Sequence, residues 1–223
     1  MKKIVIFSAH PDDETLGCGG TILKHKDNKD EIYWIIITNI NDKNVWGSEK
    51  IISRQKEIEE VSKKYNFTKI FKLNHETTKL DKIPIGKLTK KIYEIISEIQ
   101  PNVIYLNNRS DIHSDHRVSF DAILSATKTF KHPYISRMLM YETISETEFS
   151  AAIQENAFVP NYFVDVTDYI DKKIDIMKIY NSEIKEHPFP RSEKNIRALA
   201  TFRGAQCGVE YAEAFMILKD IWK

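Results

Sequence analysis

An apolar run leads directly into a cluster of ionisable side chains in residues 4–14, which read Ile4-Val5-Ile6-Phe7-Ser8-Ala9-His10-Pro11-Asp12-Asp13-Glu14. Four consecutive apolar residues followed by a proline-containing polar segment predict a short buried strand and the loop that leaves it. In open α/β sheets, ligands bind beyond the carboxyl ends of such strands, where loops direct polar groups into a crevice. The stretch therefore places His10, Asp12 and Asp13 where a functional site is expected.

The rest of the chain alternates short apolar runs with longer helical patterns. Strands are predicted over residues 4–7, 32–38, 70–73, 103–106, 138–141 and 162–166. Apolar residues at three- and four-residue steps predict helices over residues 48–65, 85–99, 117–129 and 168–186. This alternation is typical of an α/β fold, so we expect one Rossmann-like domain over residues 1–223, with a mostly parallel sheet flanked by helices.

Composition excludes several classes of protein. The 33 Lys and Arg nearly balance the 32 Asp and Glu, so the excess positive charge of a general nucleic-acid binder is missing. No apolar run approaches the roughly 20 residues of a membrane span. Because Met1-Lys2-Lys3 leads into a strand-like segment rather than a signal peptide, we expect a cytoplasmic protein. Cys18 and Cys207 lack the closely spaced partners of a cysteine zinc site, so any metal must be bound by histidines and carboxylates.

The first polar loop carries the residue types of a hydrolytic metal site. His10 and one aspartate are suitable zinc ligands, and the second aspartate can remove a proton from water. Capping of the following helix by Asp12 or Asp13 is an equally good interpretation of these residues alone. The glycines of Gly17-Cys18-Gly19-Gly20 do not match a nucleotide-binding loop, and we expect them to allow close packing of helix and strand.

A second polar loop follows the fourth predicted strand and contains His113-Ser114-Asp115-His116. If this strand neighbours the first, both loops open into the same crevice. A lone histidine is more often a structural or surface residue, but two such loops in one sheet reinforce each other. A nucleotide-binding or regulatory module with structural His and Asp residues is the alternative of a different class, and it predicts no bound metal.

The two His-Asp motifs together resemble the PIG-L/LmbE family of zinc-dependent N-acetylsugar deacetylases. Two weaker likenesses extend the resemblance over most of the chain. Arg54-x-x-Glu57 matches a family pattern on the helix after the second strand, and Gly208-Val209-Glu210-Tyr211-Ala212-Glu213-Ala214-Phe215 is similar to the family's C-terminal segment.

This resemblance implies a role for each matching position. Zinc is implied at His10, Asp13 and His116, although Fe²⁺, Mn²⁺ or Co²⁺ also suits such ligands. Asp12 corresponds to the general base. His113 corresponds to the residue that, as an imidazolium, stabilises the oxyanion and assists departure of the amine, and Asp115 is placed to orient a histidine. Arg54 corresponds to an arginine that either supports Asp12 or contacts substrate, with an exposed surface salt bridge as its structural interpretation.

Further candidates for substrate contact lie outside the motifs. Trp46 can pack on a sugar ring at the cleft mouth, with ordinary partial burial as the alternative. Arg191 and Arg203 can bind a phosphate or carboxylate of the substrate, although solvated or ion-paired arginines are the more common case. The unpatterned residues 142–158 are expected to form a specificity loop or a mobile cover.

The function implied is removal of the N-acetyl group from an N-acetylglucosamine-type sugar or glycoconjugate, which releases acetate and a free amine. Hydrolysis of a non-sugar N-acyl compound is the alternative. The expected partner is a small-molecule N-acetylsugar or glycoconjugate, and the sequence is compatible with a homo-oligomer.

Overall fold

Seven strands form one sheet in the computed structural model, which describes residues 1–222. The strands are β1 (Lys3–Ser8), β2 (Glu31–Asn39), β3 (Lys69–Glu76), β4 (Val103–Asn107), β5 (Arg137–Tyr141), β6 (Tyr162–Asp165) and β7 (Ala212–Asp220). Their order in the sheet is β3-β2-β1-β4-β5-β7-β6. The first five are parallel, and β7 pairs antiparallel with both β5 and β6. The expected single α/β domain with a mostly parallel sheet is confirmed.

Seven α-helices lie within residues 1–222. They are α1 (Asp13–Asp27), α2 (Lys43–Trp46), α3 (Ser48–Tyr65), α4 (Ile85–Ile99), α5 (Ser114–Ala126), α6 (Ile170–Met177) and α7 (Glu193–Cys207). Short 3₁₀ helices occur at Leu80–Lys82, Gln154–Asn156 and Thr167–Tyr169. Within the described part of the chain, no helix combines the length and the apolar character needed to cross a membrane.

The apolar strands bury side chains on both faces of the sheet. Ile4 and Ile6 of β1 pack into a core formed with α1, α3, α6 and α7, whereas Val5 and Phe7 pack into a second core with α4 and α5. This double burial explains why the strands are continuous apolar runs rather than alternating ones.

The site lies where the order of the strands reverses. β1 is paired on one side with β2 and on the other with β4, and the helices that follow β1 and β4 cover opposite faces of the sheet. The two connecting loops therefore diverge from adjacent carboxyl ends and leave a crevice between them, as in other doubly wound sheets.

Helix α1 is interrupted at Cys18, whose φ of −146° is not helical. A buried ion pair supplies hydrogen-bond partners around this break. Glu213 of β7 accepts from the amide of Gly20 at 2.8 Å, and Lys173 of α6 donates to the carbonyl of Leu16 at 2.9 Å and to Glu213 at 2.7 Å. The C-terminal third of the chain thus fixes the helix that begins at the first polar loop.

One predicted helix was too long, and one strand and two α-helices were not predicted. The helix expected over residues 168–186 ends at Met177, because the following turns carry Tyr180 towards Glu14 and Glu183 towards Arg54. Strand β7 and helices α2 and α7 were not predicted. Other boundaries shifted by a few residues; the helix expected from residue 117 begins at Ser114 instead.

The close packing expected at the glycines of α1 is present. A Cβ atom at Gly17 would lie 2.1 Å from Cδ2 of Tyr141, and one at Gly20 would lie 2.6 Å from Cγ1 of Val166. The Tyr141 ring is fully buried, and its hydroxyl donates to the carbonyl of Phe7 at 2.6 Å. It therefore has little freedom to move away.

We expect Gly17→Ala to lower the free energy of unfolding by about 1–3 kcal/mol, because the added methyl group overlaps a fixed ring. Urea denaturation monitored by circular dichroism measures this. Gly86→Ala in α4 is the matched control, since its Cβ would have no neighbour within 4 Å, and it should increase stability by no more than about 1 kcal/mol. Equal stabilities of the two variants would contradict the packing role of Gly17.

Candidate functional site

Two histidines and an aspartate from the two loops meet at the crevice. His10 and Asp13 flank the start of α1, and His116 lies in the first turn of α5. Nδ1 of His10 lies 3.1 Å from Nε2 of His116. Oδ1 of Asp13 lies 3.4 Å from Nε2 of His116, and Oδ2 of Asp13 lies 3.9 Å from Nδ1 of His10. Three donor atoms at these separations could bind one metal ion.

Each of these histidine rings is fixed by a carboxylate at its outer nitrogen. Nε2 of His10 donates to Oδ2 of Asp115 at 3.1 Å, and Nδ1 of His116 donates to Oδ2 of Asp111 at 2.8 Å. A neutral imidazole has one N–H, so these bonds leave lone pairs on His10 Nδ1 and His116 Nε2. Because two facing lone pairs repel each other, this arrangement favours a cation or a proton between them.

A second group of possible ligands consists of His10, His113 and Asp115. Atoms of this group already form hydrogen bonds within the protein. Nδ1 of His113 accepts from the amide of Asp115 at 3.1 Å. Oδ2 of Asp115 accepts from Nε2 of His10 at 3.1 Å and from the amide of Thr78 at 2.7 Å. The first group of three donors therefore fits a metal ion better.

The electrostatics of the first group favour a positive charge. Burial alone would raise the pKa of Asp13, but the neighbouring His116 and His10 lower it below its usual value. Burial would lower the pKa of His116, yet Asp13 and Asp111 raise it well above the usual value. A carboxylate on each side of the His116 ring thus stabilises a cation there, and a bound metal would supply the same charge.

Asp12 lies beside these ligands with a strained backbone. Its φ is 124°, and such a conformation costs about 1–3 kcal/mol in a residue other than glycine. Its amide donates to Oε2 of the buried Glu14 at 3.1 Å, and its Oδ2 accepts from Nη1 of Arg191 at 3.1 Å. Burial raises the pKa of Asp12 well above its usual range, and Arg191 opposes this effect. Its burial therefore makes Asp12 more basic than an exposed aspartate.

His113 occupies the N-cap of α5, where its Nδ1 accepts from the amide of Asp115. Burial, and then the neighbouring His10 and His116, lower the pKa of His113 to about 4. A neutral ring whose Nδ1 accepts a hydrogen bond carries its proton on Nε2. His113 is therefore a hydrogen-bond donor through Nε2 in its neutral form.

A cleft of about 240 Å³ lies in front of these residues. His113 and Asp12 line it, as do Trp46 of α2, Arg54 of α3 and Glu146 from the segment after β5. The polar residues expected near substrate are thus mostly brought to one cavity.

A family comparison agrees with this geometry. The family model described as PIG-L, GlcNAc-PI de-N-acetylase, matches residues 5–127, just over half of the chain. The chain belongs to this family. The matched region runs from β1 through α5 and contains both loops of the candidate metal centre.

Similar proteins support the same assignment. The chain is 24% identical over its full length to a diacetylchitobiose deacetylase of Thermococcus kodakarensis, covering 85% of that protein. It is 27% identical to the uncharacterized deacetylase YaiS of Escherichia coli K12, with 81% of this chain and 91% of YaiS aligned. The solved N,N'-diacetylchitobiose deacetylase of Pyrococcus horikoshii superposes with a TM-score of 0.76 at 27% identity, covering 98% of this chain and 84% of that one.

In this PIG-L domain, Arg54 is not an exposed surface residue. It is 7% exposed, and it donates to the carbonyl of Pro11 at 3.0 Å. Its Nε lies 3.2 Å from Glu57, and Nη2 donates to Glu183. The interpretation of Arg54 as a surface salt bridge is therefore wrong, and the side chain supports the loop that carries Asp12.

The other candidates for substrate contact differ in position. Trp46 lines the cleft and donates from its indole nitrogen to Oε1 of Glu76 at 2.8 Å. Arg191 also lines the cleft, but it contacts Asp12. Arg203, expected at the same cleft, forms a bidentate pair with Glu142 at 2.7 Å for both bonds and lies beside a separate cavity.

The unpatterned segment 142–158 packs on the second polar loop. Thr147 donates to Oδ1 of Asp111 at 2.7 Å, and the carbonyl of Glu146 accepts from the amide of Ile112 at 3.2 Å. The segment also contributes Thr143, Ser145 and Glu146 to the cleft wall. A role in specificity stays a prediction.

Asp111 and Glu183 contribute to the site through contacts with His116 and Arg54, and no sequence motif assigned either of them a role. Asp111 lies in the polar loop, two residues before His113, but its spacing does not reveal that its carboxylate faces His116. Glu183 lies in a segment that was predicted to be helical, and no motif marks it.

We expect Asp111→Asn to weaken metal binding at the candidate centre by about 10–100-fold, because the amide does not replace the carboxylate that orients and polarises His116. Isothermal titration calorimetry measures the dissociation constant. Asp121→Asn is the matched control, since Asp121 is exposed on α5, the helix that carries His116. Equal metal affinity of the two variants, both with native melting temperatures, would contradict the role of Asp111.

Proposed function

We propose that the chain is a zinc-dependent deacetylase that hydrolyses the N-acetyl group of an N-acetylglucosamine-type sugar or glycoconjugate. The observation that carries this proposal is the convergence of His10, Asp13 and His116 in a chain of the PIG-L family. The relatives described as diacetylchitobiose deacetylases support a sugar substrate over a non-sugar N-acyl compound.

The three donors suit zinc because they combine two imidazole nitrogens with one carboxylate. Zinc, when bound, supplies a Lewis acid that polarises the amide carbonyl and makes water more acidic. Asp111 and Asp115 support this assignment because each keeps the donating nitrogen of its histidine directed away from the ligand group.

Asp12 is the general base in this proposal. Its Oδ2 contacts Arg191, and no hydrogen bond among residues 1–222 engages its Oδ1. Oδ1 can therefore accept a proton from the attacking water, and the protonated carboxyl can deliver that proton to the departing amine nitrogen. The carbon–nitrogen bond then breaks, and acetate and a free amine are the products.

His113 stabilises the oxyanion of the tetrahedral intermediate by donating a hydrogen bond from Nε2. The resemblance implied an imidazolium here. The hydrogen bond that Nδ1 accepts from the backbone amide of Asp115, and the burial that lowers the pKa of His113 to about 4, both favour the neutral ring. Transfer of the proton to the amine is therefore assigned to Asp12.

Sugar recognition is assigned to cleft-lining residues outside the candidate metal ligands. Trp46 offers an aromatic ring at the cleft, and its indole is fixed by Glu76. Thr143, Ser145 and Glu146 add polar groups that can bind sugar hydroxyls.

A substrate screen tests the proposal. We expect zinc-loaded protein to release acetate from N-acetylglucosamine or diacetylchitobiose, and release should cease after treatment with a chelator and return on addition of zinc. Acetate is measured by an enzyme-coupled assay. Hydrolysis confined to N-acyl amino acids would contradict the sugar assignment, and hydrolysis that persists in fully metal-free protein would contradict the metal assignment.

We expect Asp12→Asn to retain zinc at one equivalent and to lose at least about 100-fold in kcat, because an amide cannot accept the proton. Zinc is quantified by inductively coupled plasma mass spectrometry, and acetate release gives kcat. Asp121→Asn again serves as the control for an aspartate outside the site. Full activity of zinc-loaded Asp12→Asn protein would exclude Asp12 as the base.

A further inference from the structure

A connected group of charged side chains leads from the turn after α6 to Asp12. Glu183 accepts from Nη2 of Arg54 through Oε1, and its Oε2 lies 3.2 Å from Nη2 of Arg191. Nη1 of Arg191 in turn donates to Oδ2 of Asp12 at 3.1 Å. Glu183 is thus ion-paired with both arginines.

The two arginines contact the strained segment at two points, one on its backbone and one on its side chain. Nη1 of Arg54 binds the carbonyl of Pro11, and Arg191 binds the carboxylate of Asp12. Since Asp12 has a φ of 124°, its backbone needs such external contacts to persist. Glu183 connects the two contacts, so the backbone and the side chain of Asp12 are fixed by one assembly.

We propose that Glu183 is a positioning residue, which acts through Arg191 to direct Oδ1 of Asp12 towards the attacking water. The inference rests on the proposed function, because it concerns the base of that reaction. Binding Oδ2 to Arg191 removes one of the two orientations available to the carboxylate and leaves Oδ1 as the oxygen that accepts the proton.

The geometry requires an arginine at position 191. Its two terminal nitrogens bridge two carboxylates, Nη1 to Asp12 and Nη2 to Glu183. A lysine ammonium is a single point of charge on a flexible stem and does not reproduce this planar fork.

This use of Arg191 competes with the anion-binding role that was expected for it. Arg54 and Arg191 together contact three carboxylates, those of Asp12, Glu57 and Glu183. The positive charge of both arginines is therefore already balanced within the protein. A phosphate or carboxylate on the substrate would be repelled by these three carboxylates as well as attracted by the arginines.

Glu183→Gln tests the proposal, because the amide keeps the shape of the side chain but loses its charge. We expect kcat to fall about 10–100-fold, because misplacement of a catalytic group by about 1 Å lowers the rate by up to this factor. KM should stay within about twofold of wild type, and the zinc content should not change. A crystal structure of the variant should show Arg191 displaced from Asp12.

Glu193→Gln is the matched control. Glu193 also lies between two cations, at 2.9 Å from Lys178 and 3.6 Å from Arg197, but it is exposed and does not line the cleft. Its kcat and KM should equal those of wild type. Equal kcat in the Glu183 and Glu193 variants would overturn the proposal.

Arg191 variants provide a test that does not depend on the stability of the Glu183 variant. Arg191→Lys should lose kcat without losing zinc, and guanidinium at millimolar concentration should restore part of the activity of Arg191→Ala by occupying the vacated position. Wild-type kcat in Arg191→Lys, or a rise in KM confined to anionic substrates, would overturn the positioning role in favour of anion binding.

The two proposals can fail separately. If wild-type protein releases acetate and all these variants match it in kcat, the positioning role fails and the deacetylase function stands. If wild-type protein hydrolyses no amide, the function fails, and the crystal structure of Glu183→Gln still decides whether Glu183 holds Arg191 against Asp12.

Discussion

The candidate centre depends on hydrogen bonds between carboxylates and the outer nitrogens of two histidines. Asp115 belongs to the second polar loop and His10 to the first, so their 3.1 Å contact also connects the two loops across the crevice. The bond from His116 to Asp111 fixes the other ring from within its own loop. With both rings fixed, the separation of the ligating nitrogens is determined before any metal binds. This preorganisation lowers the conformational entropy that metal binding would otherwise cost.

A second requirement is that α1 keep its position although it is interrupted at Cys18. The ion pair of Lys173 with Glu213 is buried at that break. Burying two charges is costly, and removal of one partner from such a pair typically destabilises a protein by about 3–5 kcal/mol. Lys173 also donates to the carbonyl of Leu16, and Glu213 also accepts from the amide of Gly20. The pair therefore contributes to the placement of the loop at the amino end of α1.

Local sequence signals predicted the parallel part of the sheet and the two polar loops, because consecutive apolar residues and short polar motifs are encoded over a few positions. Long-range partners were harder to predict. Strand β7 inserts between β5 and β6, and this pairing joins residues that are distant in sequence. The helical periodicity of residues 168–186 continues past Met177, but contacts of Tyr180 with Glu14 override it. Asp111 and Asp115 are of the same residue type in the same loop, and only the fold determines which histidine each one faces.

The contacts that fix Asp12 come from a part of the chain that is distant in sequence from the candidate metal ligands. All three candidate ligands lie within the first 116 residues. Glu183, which contacts Arg54, and Arg191, which contacts Asp12, lie in the turns between α6 and α7. A chimera that joined the first half of this chain to the second half of a distant relative would inherit the metal ligands intact. Asp12, the proposed base, would lack its matched neighbours, so we expect metal affinity and turnover to separate in such hybrids.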